Sequence, residues 1–153
     1  MGQGQKIYEM FKESLDSKDF HYEPHDDDLA ITLTVHGNDL PQPTVIRVMD
    51  DRDTIFIYSP IPSKMPEDKR MEAAVAVAVA NNGMLNGCFD LDMSDGEIRF
   101  RVTESYRGCE VSMELLEFLL QLVFIMTDKY NDRFFMLSKG MMSLEQFIEK
   151  ENE

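Results

Sequence analysis

Apolar residues change their period several times along this chain, and each change marks an element. Ile7, Met10, Phe11 and Leu15 fall on one helical stripe with Glu9, Lys12, Glu13 and Asp16 between them, which predicts an amphipathic first helix. Phe20 and Tyr22 fit a short strand. From Leu29 to Val35 the period is two, sending Leu29, Ile31, Leu33 and Val35 to one face of a half-buried strand. His36 to Pro43 carries Gly37, Asn38, Asp39, Pro41 and Pro43, residues that break ladders or favour turns, and reads as a connection. Thr44–Met49 and Thr54–Ser59 then flank Asp50-Asp51-Arg52-Asp53. Folding them about that turn pairs Val48 with Ile55 and Ile46 with Ile57 as a core face. The same register sets Val45 opposite Tyr58 and Arg47 opposite Phe56 on the reverse face, where Met49 also lies. That face is too apolar to meet only water.

Pro66 to Asn82 alternates Val75, Val77 and Val79 with alanines as a strand would, but its ends favour helix. Pro66, Glu67 and Asp68 suit a helix N-terminus, and Asn81-Asn82-Gly83 suits a left-handed stop. Phe89–Met93 and Glu97–Thr103 meet at Ser94-Asp95-Gly96, a strong hairpin signal. Pairing Ser94 with Glu97 sets Phe89 against Val102, Leu91 against Phe100 and Met93 against Ile98 on one side. Asp92 then faces Arg99 and Asp90 faces Arg101 on the other. Ser112 caps a long helix that runs to about Ser138, where Glu114, Glu117, Gln121 and Asp128 form a thin polar stripe on an apolar cylinder. A helix of that kind is buried on more than one side. Ser143 and Gln146 make a capping-box pattern for a short last helix carrying Leu144, Phe147 and Ile148. The expected fold is α+β: an antiparallel sheet with helices packed on it, in the order helix-strand-strand-strand-helix-strand-strand-helix plus a short C-terminal helix.

Composition narrows the function classes. The 153 residues carry 15 Lys+Arg against 29 Asp+Glu, a formal charge of -14. Such a chain repels phosphate, so nucleic acid is not an expected partner. Its length buries a sufficient core without metal or disulfides, and one domain over residues 1–153 is expected, with a divergent helical tail from about residue 131. Cys88 and Cys109 lie too far apart for a Cys-x-x-Cys pair and read as free thiols. Met1 to Lys6 has no apolar signal core, and Lys6 replaces the Ser or Thr of a myristoylation signal. The apolar stretch Leu115–Met126 is too short to cross a bilayer. A cytoplasmic location with no membrane partner is the resulting expectation.

Candidate chemistry is sparse. Asp90-Leu-Asp92-Met-Ser94-Asp95-Gly96-Glu97 resembles a calcium loop, but its glycine comes one place late and Arg101 stands where the bidentate glutamate belongs. His21, His25, Asp26, Asp27 and Asp28 gather metal-ligand chemistry, yet Pro24 stops a helix from aligning the two histidines. No Gly-x-Ser-x-Gly element occurs, and Cys109 has only Arg107 nearby to activate it. No catalytic residue, cofactor site or metal site is assigned. The twelve methionines are many for this length, and Met suits both core gaps and adaptable binding surfaces. Met10, Met71, Met93 and Met126 fall on expected inward faces, whereas Met49, Met84, Met136, Met141 and Met142 lie where a partner could reach.

Asn82-Gly-Met-Leu-Asn-Gly-Cys-Phe-Asp-Leu-Asp-Met-Ser-Asp-Gly-Glu-Ile-Arg-Phe-Arg101, followed after a loop by Ser112-Met-Glu-Leu-Leu-Glu-Phe-Leu-Leu120, resembles the YbjN-like family over about residues 7 to 130. The family has that helix end, hairpin and helix start. The resemblance implies a fold similar to type III secretion chaperones, small acidic proteins that usually dimerise, and a bacterial protein of the kind described as a sensory transduction regulator. The chain beyond Asn131 departs from the usual family ending. The matching motifs are turns and core positions, so no functional residue carries over. The best reading is a non-enzymatic, chaperone-like or regulatory module that binds a protein or peptide segment and forms a homodimer. Val45, Arg47, Met49, Phe56 and Tyr58 are its candidate protein-binding residues. A small-molecule sensor is the alternative, and a metal-dependent hydrolase built on His21, His25 and the adjacent Asp26, Asp27 and Asp28 is the third reading. A pocket between the alanine-rich helix and the sheet would favour the sensor.

Overall fold

The computed structural model describes residues 1–153 throughout. Helix α1 (Gln3–Ser17) leads into strands β1 (Tyr22–His25), β2 (Ala30–His36), β3 (Pro41–Met49) and β4 (Thr54–Pro60). Helix α2 (Arg70–Asn81), strands β5 (Cys88–Leu91) and β6 (Ile98–Ser105), and helices α3 (Met113–Ser138) and α4 (Leu144–Glu151) complete the chain. The six strands form one antiparallel sheet in the order β1-β2-β3-β4-β6-β5. The element order is the expected one, with the stretch at Tyr22 forming a strand of its own.

Helices cover one face of the sheet. Ile7, Phe11 and Leu15 of α1, Leu116, Leu119 and Val123 of α3, and Ala73, Ala76 and Ala80 of α2 enter the same cluster as Ile31, Ile46, Ile55, Ile57 and Phe100. The alanines bring α2 close enough for Asn81 Nδ2 to donate to the Phe89 carbonyl while its Oδ1 accepts from the Phe89 N–H. Ser112 accepts from the Leu115 N–H at the start of α3, and Ser143 with Gln146 closes the capping box of α4. Each cap satisfies amides that have no partner inside their helix.

The β3–β4 register is the expected one, with Val48 opposite Ile55 and Ile46 opposite Ile57. Both the β1–β2 and the β3–β4 turns use one short 3-10 turn closed by a left-handed residue, Leu29 at φ 49° and Asp53 at φ 50°. Leu29 is therefore a turn residue rather than the first inward position of β2, which starts at Ala30. Strand β3 also begins earlier than expected, at Pro41. Residues 41–44 pair only with β2, because the ladder to β4 starts at Val45, so Pro41 and Pro43 lie where one side of the strand is free.

The second hairpin is displaced by two residues from the expected pairing. Phe89 faces Phe100, Asp90 faces Arg99 and Leu91 faces Ile98. The loop closes at Asp92, whose N–H donates to Glu97 O and whose carboxylate accepts from the Ser94 N–H and hydroxyl. A shift of two preserves the face of every side chain, so Phe89, Ile98, Phe100 and Val102 are buried as expected. Met93, by contrast, moves from an inward position to the exposed loop, and Met71 is also exposed, on the outer side of α2. Met142 is buried instead. Gly96 has φ 84° and would set a Cβ against the Met65 backbone, so only glycine fits where the loop meets the segment after β4.

Candidate protein-binding face

Strand alternation that buries Ile46, Val48, Ile55 and Ile57 turns Val45, Arg47, Met49, Phe56 and Tyr58 to the opposite face, and no helix packs there. All five expected residues are brought together. Val45, Met49, Phe56 and Tyr58 are half-buried by their neighbours in the sheet, and Arg47 is exposed. The Phe56 and Tyr58 rings lie with centroids 5.0 Å apart, tilted by 32°.

Strand β6 adds what sequence reasoning missed. The Arg99 guanidinium lies 4.8 Å from the Tyr58 ring centroid and 5.4 Å from that of Phe56, so one cation spans both aromatic faces. Its Nε is 3.7 Å from Asp90 Oδ2, the same oxygen that accepts from Arg101 Nε. That contact holds the Arg101 guanidinium more firmly protonated than usual. Alternation already places Arg99 and Arg101 opposite the core, but the contact with the aromatic pair requires β6 to lie beside β4, a pairing between segments separated by α2. The result is an apolar platform with three arginines on a chain of charge -14. Planar guanidiniums and aromatic rings offer stacking and bidentate hydrogen bonds to a polypeptide laid across them.

The other candidates are dispersed. His21 is exposed, His25 Nε2 bonds Thr32 Oγ1 at 3.1 Å, and Asp26 accepts from the Tyr8 hydroxyl at 2.7 Å. That bond and Lys12 hold the Asp26 carboxyl below its ordinary range. No three histidine, cysteine or carboxylate groups converge as metal ligands. In the acidic loop, Asp92 serves the turn and Asp95 accepts from the Glu97 N–H and Lys64. The space between α2 and the sheet is filled by Ala73, Ala76, Val77 and Ala80, while a groove of about 760 Å³ opens on the other side of α2, against Ile148 of α4. No helix is long and apolar enough to cross a membrane.

The family model for YbjN, described as "Putative bacterial sensory transduction regulator", matches residues 8–136. The chain belongs to the YbjN family. A crystal structure of YbjN from E. coli, described as "a putative transcription regulator", aligns with TM-score 0.60 at 14% identity, covering 82% of this chain and 92% of that one. The ExsC–ExsE complex aligns with TM-score 0.60 at 9% identity, covering 86% of this chain and 96% of that one. Curated proteins include no sequence match. At these identities the solved structures establish the fold, YbjN-like and of the secretion-chaperone type, and the family points to a binding or regulatory role. Helix α4 lies beyond the matched span. Its Phe147 packs on Phe134 with centroids 5.1 Å apart, and Glu151 accepts from the Tyr130 hydroxyl and from Arg133.

Proposed function

We propose that this YbjN-family protein is a non-enzymatic, chaperone-like or regulatory module that holds a protein segment against the open face of its sheet and works as a cytoplasmic homodimer. The observation that carries the reading is the uncovered Phe56–Tyr58 pair, clamped by Arg99 and flanked by Val45, Arg47 and Met49. A face of this composition is stable in water only as a compromise, and burial under a partner relieves it. Arg47 and the Arg99–Asp90–Arg101 group supply a polar rim that orients the bound chain. ExsC, which shares the fold, was crystallised in complex with a second protein, ExsE, and that supports a protein as the ligand class.

The test is a photo-crosslinking residue at position 58, compared with one at Glu13 on the outer side of α1, in cells that express the protein. A partner captured from position 58 and not from position 13, and lost in Phe56→Glu while circular dichroism is unchanged, supports the reading. Equal capture from both positions, or capture indifferent to Phe56→Glu, removes the sheet face from the proposal.

A further inference from the structure

Helix α3 is covered on its inner side only. Leu116, Leu119, Leu120 and Val123 are buried in the core, whereas Glu114, Phe118, Gln121, Ile125 and Lys129 line the outer side. These five positions follow spacings of three and four, so they form one stripe over four turns, about 22 Å long at about 1.5 Å per residue. Phe118 is 46% exposed and Ile125 is 54% exposed, values that mark both side chains as unused by the chain itself. Half-buried Leu115 and Leu122 widen the stripe along one flank. Neither α1 nor α4 covers Phe118 or Ile125: α1 packs on β3 and on the flank of α3 that carries Glu117 and Leu120, and α4 packs mainly on α2.

We infer that this stripe is the surface on which a second copy of the chain docks, with the two α3 helices antiparallel about a two-fold axis between Gln121 and Leu122. The inference rests on the homodimer reading above and assigns its surface. Read from one end, the stripe runs acid, aromatic, amide, aliphatic, base. Turned end over end about that axis, Phe118 meets Ile125 of the second copy, and Glu114 meets Lys129 of the second copy, each contact occurring twice. A parallel arrangement instead sets Glu114 against Glu114 and Lys129 against Lys129, so the charges select the antiparallel one. Lys129 is free for this role, its Nζ lying 5.4 Å over the Tyr130 ring rather than in an ion pair. Docking here leaves the sheet face with Phe56 and Tyr58 open, since α3 lies on the opposite side of the sheet.

Sedimentation velocity across a dilution series, with circular dichroism to confirm folding, tests the surface. Phe118→Glu is expected to yield folded monomer at concentrations where the unaltered protein is a dimer. Glu114→Lys and Lys129→Glu are each expected to weaken the dimer about tenfold by opposing like charges twice across the axis, and the double exchange to restore it. Restoration in the double exchange is specific to the antiparallel contact and cannot follow from a folding defect. A dimer indifferent to all three variants overturns the α3 surface and leaves the homodimer reading standing. A monomer at every concentration overturns both.

Discussion

The two faces of the β3–β4 hairpin carry similar apolar content and meet opposite fates. Ile46, Val48, Ile55 and Ile57 are at most 3% exposed beneath α1 and α3, while Val45, Met49, Phe56 and Tyr58, one residue away along the same strands, are only half-buried. Helices from both ends of the chain pack on a single side, so burial is decided by where long-range packing falls rather than by local hydrophobicity. The uncovered face compensates with its own devices. Phe56 and Tyr58 shield each other, and the Arg99 guanidinium covers part of both rings without removing them from reach. Apolar residues on a face that its own helices leave bare are therefore better evidence of binding than apolar residues as such.

The contrast breaks most directly in paired truncations. Phe100 is fully buried and touches Phe89 at a centroid distance of 5.1 Å, so Phe100→Ala is expected to cost about 3–5 kcal/mol, measured from urea midpoints. Phe56→Ala, on the open face, is expected to cost less, about 1–2 kcal/mol, because the half-buried ring loses contacts with Tyr58 and Arg99 but leaves no closed cavity. Equal costs would show that the open face belongs to the fold and has no spare capacity for a partner.

Much of this division is legible in the sequence. Strand alternation correctly sorted Val45, Arg47, Met49, Phe56 and Tyr58 onto one face, because period two is a local property of extended backbone. The hairpin at Asp95-Gly96 shows the limit of local signals: the dipeptide marked the turn, but Asp92 closes a longer loop through its own side chain, so the pairing moved by two while the faces held. Leu29 escaped because a left-handed conformation is unusual for leucine and only the repeated turn geometry reveals it. The Arg99 clamp escaped because strand neighbourhood between β4 and β6 is a tertiary fact. The same holds for α3, where the apolar circumference implied burial on more than one side, and the structure supplies cover on one.

A smaller contrast lies within the covered half, where three buried tyrosines each donate to a carboxylate at the rim: Tyr8 to Asp26, Tyr106 to Asp50 and Tyr130 to Glu151. Burial first, and then the neighbouring carboxylate, push all three phenols above their ordinary value, Tyr106 to about 12. The neutral phenol is the form the fold holds, so this stabilisation is complete below the unfolded value of 10.0 and is lost as pH rises from there through about 12. Urea midpoints taken between pH 8 and 11.5 should fall at the alkaline end, and Tyr106→Phe should flatten that fall. At neutral pH, Tyr130→Phe is expected to cost about 1–2 kcal/mol by removing the bond that ties α3 to α4.

The smallest expected effect on stability is also the sharpest test of what the open face is for. Asp90 joins Arg99 and Arg101 with side chains about one-third exposed, a setting in which an ion pair contributes at most about 1 kcal/mol after solvent screening. Asp90→Asn is therefore expected to leave the urea midpoint almost unchanged. It nonetheless releases the carboxylate that fixes Arg99 over Phe56 and Tyr58, so partner capture from position 58 should change more than stability does. Arg99→Lys separates charge from geometry: the ammonium keeps the charge but has no plane with which to span two rings. If Arg99→Lys binds like the unaltered protein, the guanidinium serves only as charge. If Asp90→Asn instead costs several kcal/mol, the arginine group is part of the fold, and the division between a covered structural face and an open binding face fails at its centre.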